Sequence, residues 1–469
     1  MKKKSKIFGF MILSTALLFT SCAQDGFDEE SFSSSVKNTQ LTSPKSEEIS
    51  VGKSADGSLW IITWPLVKGA EGFLCNVTNV TDPDAVVEMV KDSLIDGCTL
   101  QLPRADDSNY VLDIRTIANK QLGNKDAETV TELKFSSFTP AWAEIPAGAD
   151  IAEWLTANPL PEESAEEICI DLQAGADYTL KSNADFGAQR VTLRCTTPTK
   201  PANVKVSGEA SLVIDEGFTL KNINIDATEG TNDLIVGNTK PKEVNISPSN
   251  NYFRIENPIY ITNVKIKGLK RKLIYDNKVK YCYKTVIIDN CVIETCPEEA
   301  LQLIHMPTGF INDLTIRYST IWNSGTVNQN YIVQYSNSGR CDRAGYTSNS
   351  ITVNYCTFYN MAKTGQWGNY SSFAGRKTSY FTMSHSIFVD CSSNATPRRF
   401  TSGSNNNANK NFVNNTWFYN GADEQPGESW DPTQQQVLGD PMFADPANGD
   451  FHYSGAAQKA LSLGDPRWL

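Results

Sequence analysis

Val286-Ile287-Ile288-Asp289-Asn290-Cys291-Val292-Ile293 decides how the chain folds, because it returns. Leu314-Thr315-Ile316-Arg317-Tyr318-Ser319-Thr320-Ile321 repeats it, as do Ile351–Phe358, Phe381–Phe388 and Asn411–Phe418. Weaker copies stand at Leu220-Lys221-Asn222-Ile223 and Ile261-Thr262-Asn263-Val264. Alternation of apolar and polar residues over a few positions marks a strand. One inward register holds Ile288, Ile316, Val353, Met383 and Val413; a second holds Ile293, Ile321, Phe358, Phe388 and Phe418. Two positions before that second register stands a small residue (Cys291, Ser319, Cys356, Ser386, Thr416), as a strand turning a corner requires. The copies recur at roughly thirty residues, a spacing typical of stacked repeats. One short strand cannot bury its apolar face alone. Parallel coils can, by pairing backbone above and below and merging their inward residues into one core. Each large buried side chain then stabilises by about 1.5–3 kcal/mol. The pattern predicts an all-β chain whose larger part is a right-handed parallel β-helix. Chance alternation in a β-sandwich would not align five copies.

Outward from the repeat, the chain reads as several regions. With 469 residues it is too long for one compact core. Lys2, Lys3, Lys4 and Lys6 precede the apolar run Ile7–Phe19, which is too short to stay in a bilayer as a spanning helix. Phe19-Thr20-Ser21-Cys22 follows, and small residues before a single Cys resemble the lipobox of bacterial lipoproteins. That resemblance implies cleavage before Cys22 and acylation there, which anchors the chain to a membrane through its lipid alone. The acidic run Asp25-Gly26-Phe27-Asp28-Glu29-Glu30 resembles the surface-export signal of Bacteroidetes lipoproteins, implying an outer-membrane location facing the exterior. Residues to about Pro44 are Ser-rich and polar, and are expected to form a flexible tether.

Leu59-Trp60-Ile61-Ile62-Thr63-Trp64-Pro65, then Val67-Lys68-Gly69-Ala70-Glu71-Gly72-Phe73, resemble the second and third strands of a fibronectin type III module. Tyr110–Ile117 fits the sixth strand, with Tyr110 at a tyrosine-corner position. Such modules serve as spacers and sometimes bind sugars. Ile151, Trp154 and Leu155 share one face of a short amphipathic helix, suited to covering the open end of a solenoid. The tail Asp440-Pro441-Met442-Phe443-Ala444-Asp445-Pro446, with Gly449-Asp450-Phe451, resembles the closing segment of pectate-lyase-like β-helix proteins. Phe443, Phe451 and Trp468 are expected to plug the far end. The organisation expected is therefore a signal peptide (1–22), a tether (23–46), a fibronectin type III-like domain (47–139), a linker with capping helix (140–161) and a β-helix with C-terminal cap (162–469). Together these features resemble Bacteroidetes surface lipoproteins of the polysaccharide-utilisation type. The resemblance implies a glycan partner and a glycan-importer complex as a further one.

Net charge is −11 and the pI about 5, which argues against nucleic acid. Yet from Tyr260 to Phe400 there are sixteen Lys/Arg against eight Asp/Glu. A basic β-helix in an acidic chain points to an anionic partner, and for an exported protein a uronate or sulfated polysaccharide fits. Three cationic clusters precede successive strands: Arg340 with Arg343, Arg376 with Lys377, and Arg398 with Arg399. Coils about 4.8 Å apart would pile them into a column, and an Arg fork holds a carboxylate at two points. The alternative is solvated loop charge, which stabilises by only about 0–1 kcal/mol per pair. Trp322, Tyr359 and Tyr419 are expected outward, with Trp417, either as sugar-stacking rings or as floors for long loops. Trp367 and Tyr370 carry the same ambiguity. Asn222, Asn263, Asn290, Tyr318, Tyr355, His385 and Asn415 form a corner column in which amides hydrogen-bond along the solenoid. Asp289 and Arg317 are expected to pair.

Ten cysteines besides Cys22 lack any C-x-x-C spacing, and only three histidines are present, so no zinc site is expected. A uronate lyase needs a cation on the carboxylate, often Ca²⁺, and a base. The coil acids Asp289, Asp313, Asp342 and Asp390 are scattered, so no Ca²⁺-type set is legible and no cofactor is assigned. A metal-free lyase using Lys363, Arg376 or Arg343 stays open. So does a purely structural partner in glycan import. The reading favoured by the residues is a glycan-binding protein.

Overall fold

The computed structural model describes residues 36–469 apart from 106, 163, 165, 243–245, 248–249, 394 and 402–406. The signal segment, Cys22 and the acidic run lie outside the described residues. Two compact units form, one from the described residues up to Val80 with Ala85–Ser137, the other from Thr81–Asp84 with Phe138–Leu469.

The first unit is a β-sandwich. Its strands are β1 (Ser50–Lys53), β2 (Leu59–Thr63), β3 (Ala70–Asn79), β4 (Val87–Ile95), β5 (Thr99–Pro103), β6 (Asn109–Ala118) and β7 (Thr131–Ser136). The sheets run β1-β2-β5 and β4-β3-β6-β7, all antiparallel. Trp60, Ile62, Trp64, Phe73, Tyr110 and Leu112 close the core between them. The Tyr110 hydroxyl accepts the Ala105 N–H at 3.0 Å, five residues upstream, which makes the expected tyrosine corner. Residues 36–46 depart from the tether expectation. Leu41 is buried against Ala70 and Ala118, and Asn38 and Leu41 donate backbone hydrogen bonds to Leu122 and Lys125. Side-chain hydrogen bonds hold the same stretch, from Thr39 to Asn124 at 3.1 Å and from Ser43 to the Thr129 carbonyl at 2.6 Å.

The second unit is a parallel β-helix. Helix α1 (Ile151–Ala157) covers its N-terminal end: Asp150 caps it by accepting the N–H groups of Ala152 and Glu153, and Ile151, Ala152 and Leu155 are buried on the core. Ile261, Ile288, Ile316, Val353 and Met383 are vertical neighbours in successive coils, as are Ile293, Ile321, Phe358 and Phe388. Each full coil has three faces. The first and second meet at a corner where Asn222, Asn263, Asn290, Tyr318, Tyr355, His385 and Asn414 all take positive φ. Asn tolerates that left-handed conformation, whereas a Tyr or His there costs roughly 1–2 kcal/mol. The cost is offset along the column. Tyr318 stacks on Tyr355 at 5.5 Å and Tyr355 on His385 at 4.8 Å, while the Asn263 amide donates to Asn222 at 2.8 Å. Asp289 accepts from Arg317 at 2.9 Å, as expected.

The last copy sits one residue off the expected register. Phe412, not Val413, stands above Met383, and Trp417, not Phe418, above Phe388; Asn414 replaces Asn415 at the corner. Trp417 is therefore buried, correcting its outward assignment. A one-residue slip exchanges the two sides of a strand, and this register puts two large rings inside. The C-terminal tail also departs from expectation: it runs down the second face instead of plugging the end. Phe451 packs on Trp322 and Tyr359, Leu463 on Ile387, and Arg467 reaches Asn290 at 2.7 Å. The Thr320 hydroxyl donates to Asp465 at 2.8 Å. All ten cysteines of the described residues are free thiols, and Cys291 and Cys356 fill the small inward position.

Candidate functional site

The third face is a parallel sheet of seven strands, Ala184–Asp185, Leu212–Ile214, Ile235–Gly237, Ile274–Tyr275, Gln302–Met306, Tyr331–Tyr335 and Gln366–Asn369. Tyr275, His305, Gln334 and Asn369 occupy one register position on four successive coils, and Gln302, Tyr331 and Gln366 occupy another. All seven are partly exposed. Among the described residues none of these side chains makes a hydrogen bond to another protein group. That is unlike the first corner, where stacked amides bond to each other. Four rungs span about 14 Å. The loops 296–301, 324–330 and 360–365 leave one edge of this face, and 336–348 and 370–378 leave the other. Midway along the face the Lys272 ammonium lies over the Tyr275 ring at 4.5 Å and pairs with Asp233 at 3.1 Å. Tyr275 and His305 have ring centroids 5.8 Å apart. Burial, then Lys272, pushes the His305 imidazolium down to about 4, so the ring is neutral at physiological pH.

The edge where the chain leaves the third face is basic. Helix α2 (Cys341–Ala344) and helix α3 (Ser371–Ala374) lie on it in successive coils. Helix α4 (Thr396–Phe400) stacks on Gln366–Asn369 where a third strand would continue. Low on the edge the cations are engaged. Arg340 pairs with Asp342 at 2.7 Å, Arg343 reaches the Asn250 side chain at 3.3 Å, and Arg254 and Lys284 share Glu256. Lys280 sits over Tyr252 at 4.6 Å and donates to the Asn250 carbonyl. Higher up, compensation ends. Among the described residues no carboxylate pairs with Arg376, Lys377, Arg398, Arg399 or Lys410. These residues connect. The Cys341 thiol meets Thr378 at 3.7 Å, Asn409 donates to the Lys377 carbonyl at 2.6 Å, and Arg398 and Lys410 both flank Trp430, at 5.4 and 5.3 Å from its ring centre. A cavity of about 250 Å³ opens beside Lys410, lined also by Ala408, Glu428, Ser429 and Pro432. Burial, then the neighbouring Arg398 charge, lowers the affinity of Arg399 for its proton; burial does the same to Lys410.

The residues singled out in the sequence scatter accordingly. Arg376, Lys377, Arg398 and Arg399 remain candidates for an anion, and Arg340 is already paired. Trp322 is 6% exposed beneath Phe451, and Tyr359 packs on Phe443 and Phe451, so both are floors for the tail. Tyr419 donates to the Lys363 carbonyl at 2.8 Å. Lys363 pairs with Asp390 at 2.7 Å in the loop before Gln366–Asn369, whereas Arg376 follows α3 beyond it. The third face thus stands between Lys363 and the two arginines, and the three do not form one site. Trp367 and Tyr370 are fully buried. Among the described residues no group of three or more His, Cys, Asp or Glu gathers as a metal-ligand set. The sequence reading missed Tyr275, His305, Gln334, Asn369, Lys410 and Trp430. The third strands hide their periodicity because adjacent residues such as Leu303 and Ile304 are both buried.

Three family models, each described as a domain of unknown function, match the chain: DUF4992 over residues 1–183, DUF4957 over 176–324 and DUF5123 over 351–468. No curated protein matches it. Among solved structures, pectate lyase PelI from Erwinia chrysanthemi, in complex with tetragalacturonic acid, aligns at 14% identity over 85% of this chain and 97% of that one. The TM-score of that alignment is 0.20, too low to support any statement about this chain.

Proposed function

We propose that the protein binds an acidic polysaccharide, laying the chain on the third face with its carboxylates toward the upper basic edge. The observation that carries this is a set of five cations that, among the described residues, pair with no carboxylate, beside seven polar side chains that make no hydrogen bond to those residues. Unpaired cations repel one another and favour an anionic ligand, and free amides match sugar hydroxyls. Trp430, between two cations, adds a flat ring of the kind that packs on sugars. The lipobox-like residues before Cys22 support a lipid-anchored form, and the acidic run Asp25–Glu30 after it supports display on the outer membrane, with the fibronectin type III-like sandwich as spacer. In that setting a glycan importer is the natural protein partner.

The test is retardation of the purified chain in gels containing polygalacturonate, a sulfated glycan or a neutral glucan. Polygalacturonate is expected to retard it, less so as salt rises. The Arg376→Ala, Lys377→Ala and Lys410→Ala triple variant is expected to run freely. Equal retardation of this variant and the parent would overturn the placement on the basic edge.

A further inference from the structure

The middle of the third face holds a group of residues whose chemistry goes beyond binding. Tyr275, His305 and Gln334 stand on three successive rungs at one register position, with the Lys272 ammonium over the Tyr275 ring. Rungs lie about 4.8 Å apart, a separation at which two side chains flank neighbouring atoms of a sugar ring on one side. The Tyr275 and His305 rings are inclined by 30° and both reach the surface. His305 Nδ1 is buried and, among the described residues, has no hydrogen-bond partner that would fix the ring in a structural role.

We propose that His305 and Tyr275 form a proton-transfer pair that cleaves a uronate polysaccharide by β-elimination. This rests on the reading that such a chain lies on the third face. The neutral imidazole uses its lone pair to take the proton from the carbon beside the carboxylate. The electron pair of that C–H bond becomes the new C=C bond, and the bond to the linking oxygen breaks. The departing oxygen takes its proton from the Tyr275 hydroxyl. The products are a shortened chain and one ending in an unsaturated uronate; imidazolium and phenolate return to their starting forms by exchange with water. Gln334, one rung above His305, offers amide N–H groups to the carboxylate as negative charge develops there. Lys272, below, faces the ring that carries negative charge once its proton has left. The charged groups facing His305 are Lys272 and Asp233, and burial with Lys272 keeps the imidazole neutral, as a base must be.

The experiment incubates the full chain with polygalacturonate, polymannuronate and glucuronan, following ultraviolet absorbance of unsaturated uronate, while the same glycans are tested for retardation. Absorbance is expected to rise with at least one glycan that retards the chain. His305→Gln and Tyr275→Phe are expected to lose about 100-fold or more of that rate at saturating glycan, with a thermal unfolding midpoint like the parent's, which shows that they fold. No absorbance from any retarding glycan, or undiminished rates in both variants, overturns the pair and leaves the binding reading standing. No retardation by any of them removes the binding reading and this inference with it.

Discussion

The second and third faces of the same coils have opposite fates. On the second, the outward residues Trp322, Thr320, Thr357 and Ile387 are buried under the C-terminal tail, and Asp465, Trp468 and Phe451 answer their polar and apolar groups. On the third, Tyr275, His305, Gln334 and Asn369 reach the surface with their hydrogen-bonding groups unanswered by the described residues. One repeating coil thus supplies a surface spent on stability and another left for a ligand. The basic edge divides in the same way. Below, each arginine has a partner such as Asp342 or Glu256; above, the cations face no carboxylate among the described residues, and Lys410 donates only to the Ser429 carbonyl at 2.6 Å.

The comparison breaks first on stability. Trp322→Ala would open a cavity beneath the tail and is expected to cost about 3–5 kcal/mol in urea unfolding. Gln334→Ala is expected to change stability by no more than about 0.5 kcal/mol. Similar values for the two would erase the distinction between faces. Binding sharpens it next. Removing one uncompensated cation, as in Lys377→Ala, is expected to weaken acidic-glycan affinity by about 1.5 kcal/mol, roughly tenfold. Arg340→Ala, whose charge Asp342 already answers, should leave affinity within about twofold when the two are measured side by side.

Smaller effects test the corner. Tyr355→Asn removes two ring contacts, each about 0.5–1.5 kcal/mol, and relieves left-handed strain of about 1–2 kcal/mol. The net loss expected in thermal unfolding is about 1 kcal/mol or less. A loss of the size expected for Trp322→Ala would mean the stack does far more than offset strain. A last effect depends on pH and concerns Glu424, whose carboxyl accepts the Thr396 N–H at the start of α4 and is pushed up to about 7 by burial. A carboxyl raised in the folded state favours folding at low pH, and that contribution is lost as pH rises through about 7. Glu424→Gln should therefore flatten the fall in stability between about pH 4.5 and 7. An unchanged slope would place that fall on other groups.

Much of the second unit was legible because its signal is local and repeated. Ile316, Val353 and Met383 lie where alternation put them, and Asn263 and His385 sit at the corner that their column implied. The last copy slipped because Phe412-Val413 and Trp417-Phe418 are both apolar pairs, so alternation fits either register and only core volume chooses. The site was legible by half. Arg376, Lys377, Arg398 and Arg399 announce themselves by charge. Whether a cation has a carboxylate beside it, as Arg340 does and Lys377 does not, depends on which loops the coils bring together.

The sequence by itself determined that coils stack, where they turn and which residues fill them, because the period of apolar residues is written along the chain. Only the tertiary structure decided which outward face the tail covers and which stays open. That choice is made by contacts between residues more than a hundred positions apart, such as Thr320 with Asp465, and no local pattern encodes them.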